Sequence, residues 1–539
     1  MVLLTRKRDV RLWRLNGAAL TLTTSLSFNR SRNLPLIAIF YPSHHCKFEF
    51  MNTRTIFCAA YIVLSIYAAP LFAEDVDERD CRQMYDRIDR VVSQANARDA
   101  QDFPIKGYPY LRSNRFFATL AQNAEGVAET DFLLRQWMAL DQRARQWELK
   151  NLPAASFSEL ERIRRGLFPN QADFSITLNA CAESLLEIDR PHVAAIKQNS
   201  QAPERYSLLK RLMGFYPITA IPFARGIRKF QSEMNEKFSK DRHEMPSDAN
   251  VLFHVAPKTQ TIDVAAILQA ASDNPLNIPL PSAEQLAQLF AQFAPNFAID
   301  TRGDFDRPGV IGWSEDGRAH VDSSIPKIYT LTSHTMFEGK ALLQLNYAIW
   351  FSERPKKGTL DMLGGTLDGL IWRVTLAPDG EPLLYDTIHP CGCYHLFFPS
   401  SKLRAKPPHP SLQEHAYVPQ AAPVLARGER ATIWVESASH YIVRVTAASP
   451  ETTQPAASYE FADYDELRSL PRKDGTHRSL FRPDGLINDT ERGERFFFWP
   501  MGIASAGAMR QWGHHATAFV GKRHFDDADL IEKSFEAAK

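Results

Sequence analysis

Four side chains able to bind a metal or attack an electrophile stand at every second position of one short run. They are His389, Cys391, Cys393 and His395, within Tyr385-Asp-Thr-Ile-His-Pro-Cys-Gly-Cys-Tyr-His-Leu-Phe-Phe398. Thiolate and imidazole donors suit zinc or copper, so a metal site is one expectation. On a strand all four would share a face. Same-face neighbours lie about 6.6 Å apart, which leaves the outer histidines about 20 Å apart, too far for one ion. With the chain bent at Pro390 and Gly392, two or three could cooperate, and His514, His515, His524 or Asp526 would complete the set. His514 and His515 would face opposite ways on a strand, so at most one is expected to join. The usual Cys-x-x-Cys zinc spacing is absent.

Three other readings compete with the metal. A Cys391–Cys393 disulfide is at the edge of accessible geometry and needs a bend at Gly392. Such a strained bridge would be easily reduced, which suits a thiol-redox protein. A thiol nucleophile with His389 or His395 as its base is the third reading. The fourth is structural, with small buried thiols and histidines satisfied by backbone.

Other motifs carry less. Gly502-Ile-Ala-Ser-Ala-Gly507 has two residues between Gly502 and Ser505, where the hydrolase elbow needs one. Asp304, Asp306, Asp361 and Asp368 read as scattered loop residues with no acid/base pair among them. Gly364, Gly365 and Gly369 form no phosphate-binding fingerprint. Arg510, Trp512 and Arg523 could hold an anionic or sugar-like ligand, but a packed surface explains them as well.

The compartment bears on the cysteines. Residues 51–73 have the pattern of a signal peptide: Met51-Asn-Thr-Arg, an apolar run over 55–72, and Ala73 before Glu74 and Asp75. Residues 1–50 are then a non-native or disordered extension ahead of the natural start. The alternative is a membrane anchor formed by 55–72, near the lower length limit for a span. Cleavage leaves Cys81, Cys181, Cys391 and Cys393, an even set in an oxidising compartment, which makes disulfides the default. Cys81 and Cys181 both lie on helical stripes, so a bridge clamping two helices is the simplest pairing. The net charge of +1 offers no basic field for nucleic acid.

The elements that must position these residues fall into two parts. Residues 78–245 read as a helical domain. Cys81, Met84, Ile88, Val91 and Val92 mark one seam, Phe132, Leu133, Trp137, Leu140, Ala144 and Trp147 a second, and Ile176, Leu178, Cys181, Leu185 and Ile188 a third. Tyr108-Pro-Tyr-Leu-Arg112 reads as an irregular connector. Residues 215–227 are apolar but broken by Pro217, Pro222 and Gly226. A buried, kinked helix is expected there rather than a segment against a membrane or partner. The charged stretch 237–248, with His243 and Glu244, reads as a surface boundary.

Residues 250–535 read as a β-rich domain. Ser282 and Gln285 form a capping box for a helix. Gly339 and the β-branched and aromatic content of 328–351 favour a hairpin turning at Glu338-Gly-Lys340, which separates His334 from Glu338. Pro378-Asp-Gly380 turns the next hairpin, and 433–445 makes another strand pair around Ser437-Ala-Ser439. The proline-rich stretch 402–428 is a long loop, a type that is functional or disordered.

The sequence therefore predicts an α+β chain: an N-terminal helical domain, then a mostly antiparallel β-rich domain with a few helices. It reads as an exported bacterial cell-envelope protein, periplasmic or secreted, with possible association at an envelope or membrane surface. Its Cys/His site binds metal or forms a local disulfide. A metal-dependent exported hydrolase and a thiol-redox protein are the alternatives.

Overall fold

A computed structural model of the chain describes residues 76–240, 249–255, 262–408, 412–426, 428–447 and 455–538. The expected extension, signal peptide and anchor lie outside the described residues, as do His243 and Glu244.

The N-terminal part is helical, as its apolar spacing requires. Helices Glu78–Gln94, Val127–Lys150 and Phe174–Asp189 pack around Met84, Ile88, Leu133, Trp137 and Leu185, all fully buried. The Cys81 and Cys181 sulfurs are joined, so the first and last of these helices are clamped across 100 residues. In the chain-entropy picture a loop of that length contributes about 4–5 kcal/mol. Ile176 and Ile188, read as core, are instead exposed at the ends of their helix. The segment read as an irregular connector is a strand, Tyr108–Ser113, paired antiparallel with Phe103–Ile105. Gly107, at φ +89°, makes its turn. Arg112 anchors it, donating to Asp141 (3.0 Å) and Glu148 (2.7 Å).

The β-rich part is built on a six-stranded sheet. Its order is Leu396–Pro399, Pro382–Ile388, Gly365–Leu376, Lys340–Arg354, Lys327–Phe337, Glu460–Asp463, antiparallel except for the last pair. The 328–351 hairpin is present, and Glu338 (φ 49°) and Gly339 (φ 72°) supply the left-handed pair that such a turn needs. Leu343, Leu345, Tyr347, Ile349 and Phe351 alternate onto one face and meet a five-stranded mixed sheet through Phe297, Ile299 and Ile433. The opposite face is buried too. Gln344 and Asn346 survive there because each donates a hydrogen bond, to Thr375 Oγ1 (3.1 Å) and Leu331 O (2.9 Å). Its cover includes Ile311 and Val321 of a small hairpin, Tyr464 and Leu467, and Ile487, Met509 and Phe525 from a stretch largely without regular structure. The Ser282–Gln285 capping box forms as expected.

A buried ion network ties the helical part to the β-rich part. Arg468, fully buried, donates to both carboxylate oxygens of Asp99 (2.9 and 2.8 Å) and to Asp465 (3.1 Å).

Candidate functional site

The Cys/His run is a loop, which corrects the strand reading. The strand Pro382–Ile388 ends one residue before His389. Leu396–Pro399 returns antiparallel, with Thr387 opposite Leu396. The histidine N–H at 389 donates to Cys393 O (3.0 Å), and Gly392 N–H donates to His389 O (2.7 Å), closing the loop tightly. Gly392 takes φ +91°, and a Cβ there would lie 2.6 Å from Ala516 O. Only glycine fits both demands. Residues 510–516 hold the loop from outside: Arg510 N–H donates to Pro390 O and Arg510 Nε to Cys391 O (both 2.9 Å).

Cys391 and Cys393 are free, buried thiols. A hydrogen bond from Cys393, aided by Arg492, draws Cys391 below the ordinary thiol range against the effect of burial. The same contact, with burial, pushes Cys393 well up. Buried Glu494 faces the pair. Burial raises its carboxyl, and Arg492, Arg354 and Arg510 oppose the rise.

Each histidine of the run has its own carboxylate. His395 Nε2–H donates to Asp386 (2.9 Å), which Arg373 also grips (2.8 Å from Nε). Burial holds the His395 pKa down to about 3, so the ring is neutral. Its Nδ1 is buried and has no hydrogen-bond partner among the described residues. His389 Nδ1 lies 3.3 Å from Asp368, whose other oxygen accepts from His440 Nδ1 (2.8 Å). His440 Nε2 lies 3.4 Å from Asp306. Burial would lower His440, but the two carboxylates outweigh it and raise its pKa. Asp306 and Asp368, read as scattered loop residues, thus bracket one histidine that the sequence did not single out. Leu367, Tyr394 and His440 around this chain all adopt left-handed backbone (φ 54°, 60° and 53°). Such strain persists where the surroundings over-determine it.

A cavity of about 600 Å³ lies over the loop. Its apolar wall is one stripe of the helix Tyr216–Ser239: Phe223, Ile227, Phe230 and Met234, spaced at helical intervals. Tyr394 and Tyr441 (ring centroids 4.4 Å apart) form the aromatic end, with Arg354 donating to Tyr441 Oη (3.2 Å). Cys393, His395 and Glu494 line it from the β-rich side. The 402–428 loop contributes Glu414 and Tyr417, and Arg523, bonded to Thr517 (3.1 Å), adds a cation. The volume is ordinary for a small-molecule site.

The remaining sequence candidates disperse. His514 Nε2 lies 2.7 Å from Ala100 O, on the side away from the loop. His515 turns to the loop and bonds backbone around Pro390, with its pKa driven well down by burial. The adjacent pair thus faces opposite ways, as expected. His524 pairs with Asp527 (3.2 Å), and Asp526 lies 3.3 Å from Arg115. Among the described residues, no three His, Cys, Asp or Glu side chains gather as an ion would need. The candidate donors do not converge among the described residues, so no chemistry is routed through zinc or copper. His334 bonds Pro279 O (2.8 Å) and stands apart from Glu338. No known protein family, curated protein or solved structure matches the chain.

Proposed function

We propose that this chain is an exported cell-envelope protein that binds an amphiphilic small molecule in the cavity over the 389–395 loop. One observation carries the reading: the cavity sets the apolar stripe Phe223, Ile227, Phe230 and Met234 against a polar side that holds Cys393, His395, Glu414, Glu494 and Arg523. A polar group of that side desolvated by a ligand without a hydrogen bond costs about 1–3 kcal/mol, so a ligand that bonds it is selected. A hydroxyl or amide N–H on an apolar body fits both halves of the wall.

A fluorescence titration with a dansyl-labelled long-chain alcohol, kept below its micelle concentration, tests this. Gly226 lines the cavity, and a Cβ there would meet no heavy atom within 4 Å. Gly226→Trp therefore fills the space without a backbone clash. Saturable binding that Gly226→Trp abolishes and His395→Phe weakens supports the reading; absence of saturable binding to the parent chain refutes it.

A second reading, thiol-redox function, is favoured by two free, buried thiols two residues apart in one tightly closed loop. Both thiols would give their hydrogens to a bound disulfide, yielding two product thiols and a Cys391–Cys393 bridge. Incubation with a small aliphatic disulfide tests it. The expected product is a chain lighter by two hydrogens, with the bridge located by peptide mass spectrometry. A stable mixed disulfide, or no reaction, counts against it.

A further inference from the structure

The stretch 215–227, expected to be buried, is only half so. The helix Tyr216–Ser239 forms because Pro217 sits in its first turn, where no N–H is needed, and because the break at interior Pro222 is tolerated. Ala220 and Ala224 turn inward, and Phe223, Ile227 and Phe230 line the cavity. Phe215, Ile218 and Ile221 point out, with Phe215 70% exposed.

Two neighbours extend this outward face. The short helix Leu208–Met213 buries only Arg211, which donates to Met501 O (2.8 Å), and leaves Leu208, Leu212 and Met213 exposed, Leu212 by 73%. Gly214, between the two helices, sits so close to Pro500 that a Cβ would lie 2.5 Å away. That contact brings in the helix Arg495–Phe498, where Phe496 and Phe497 are exposed, and half-exposed Trp499. A soluble surface rarely gathers so many large apolar side chains in one place without a use for them.

We infer that this face seats in an anionic bilayer surface, with the cavity mouth beside it. Charge selects that occupant. Between Glu204 and Glu233 the chain has no acidic residue but carries Arg205, Lys210, Arg225, Arg228 and Lys229, besides buried Arg211. On the long helix the outward stripe runs Ile218, Ile221, Arg225, Arg228, so apolar contact passes directly into basic contact. An apolar face with a basic fringe is the composition that binds an anionic interface. Aromatic side chains such as Trp499 and Tyr216 suit the headgroup level. No helix among the described residues is long and apolar enough to cross a membrane, so the contact lies along the surface. Pro222 and Phe498 border both the patch and the cavity, so a ligand dissolved in the bilayer would enter beside the docked face. That last step rests on the cavity reading; the docking does not.

Flotation of the purified chain with phosphatidylcholine vesicles, with and without phosphatidylglycerol, tests the docking. The expected result is at least ~10-fold tighter partition onto the anionic vesicles, weakened by salt. Leu212→Glu/Phe215→Glu should lower that partition at least ~10-fold. The variant should still bind the dansyl alcohol in solution, which reports its fold and separates failure of the docking from failure of the cavity reading. Equal flotation of parent and variant overturns the proposal, as does absence of flotation on either vesicle. A dimer in sedimentation velocity that the variant splits, without flotation, would assign the face to a second copy and also overturn it.

Discussion

Asp386 is where the loop's chemistry and the fold's stability meet. It is fully buried, accepts from Arg373 Nε (2.8 Å) and Nη2, and fixes His395 through Nε2–H (2.9 Å). Burial would raise its pKa, but Arg373 and His395 outweigh that and hold it below the usual carboxylate range. Asp386→Asn keeps the shape and removes the charge. Arg373, itself 1% exposed and stacked 3.6 Å from the Phe525 ring centroid, would then be a buried cation without its counter-charge. Breaking a buried pair in this way costs about 3–5 kcal/mol. Urea unfolding at neutral pH measures it directly. Replacing both partners with apolar residues, Arg373→Met/Asp386→Leu, should recover more than half of the loss, because the desolvated charge goes too. The sign with pH follows from the lowered pKa. The Asp386 contribution is complete above the unfolded value of about 3.9 and is lost as pH falls through the folded value. A cost under about 1 kcal/mol for Asp386→Asn, against the 3–5 of a buried pair, would show that the carboxylate does not hold the loop as described.

Three further outcomes follow from the same geometry. Cys81→Ser/Cys181→Ser should lower stability by about 4–5 kcal/mol in denaturant titrations, the loop-entropy value for this span, and reductant should do the same to the parent chain. Burial raises the pKa of Asp102 to about 6, and its Oδ2 has no hydrogen-bond partner among the described residues. Stability should therefore fall as pH rises from about 4 to 6, and Asp102→Asn should be more stable near neutral pH by up to about 3 kcal/mol, two pKa units' worth. Ser282→Ala removes a cap that accepts from Gln285 N–H (3.3 Å) and should cost about 1 kcal/mol by thermal unfolding.

Local rules made part of this legible in the sequence. The 328–351 hairpin, the Ser282 capping box and the pairing of Cys81 with Cys181 each depend on spacing within one or two elements. Asp306, Asp368 and His440 were not legible as a group, because their contacts span 72 and 134 residues and depend on sheet register. Glu494 and Arg492 had no motif to mark them and reach the thiols from a segment almost without regular structure. The Tyr108–Ser113 strand was obscured by Pro109, and its partner strand is only three residues long. The outward face of Tyr216–Ser239 reads as core in sequence because both of its stripes are apolar over 215–227. Only the packing shows that one stripe lines a cavity and the other is exposed.

The protonation and pairing of His395 test the central claim most directly. Nitrogen-15 NMR of the histidine-labelled chain, with His395→Gln to assign the signal, reads both ring nitrogens. The expected spectrum is a neutral Nε2–H tautomer that persists into mildly acidic solution, with the ring resonances shifting when the dansyl alcohol fills the cavity that His395 lines. An imidazolium near neutral pH, or ring signals indifferent to a ligand that binds, would contradict the site as described.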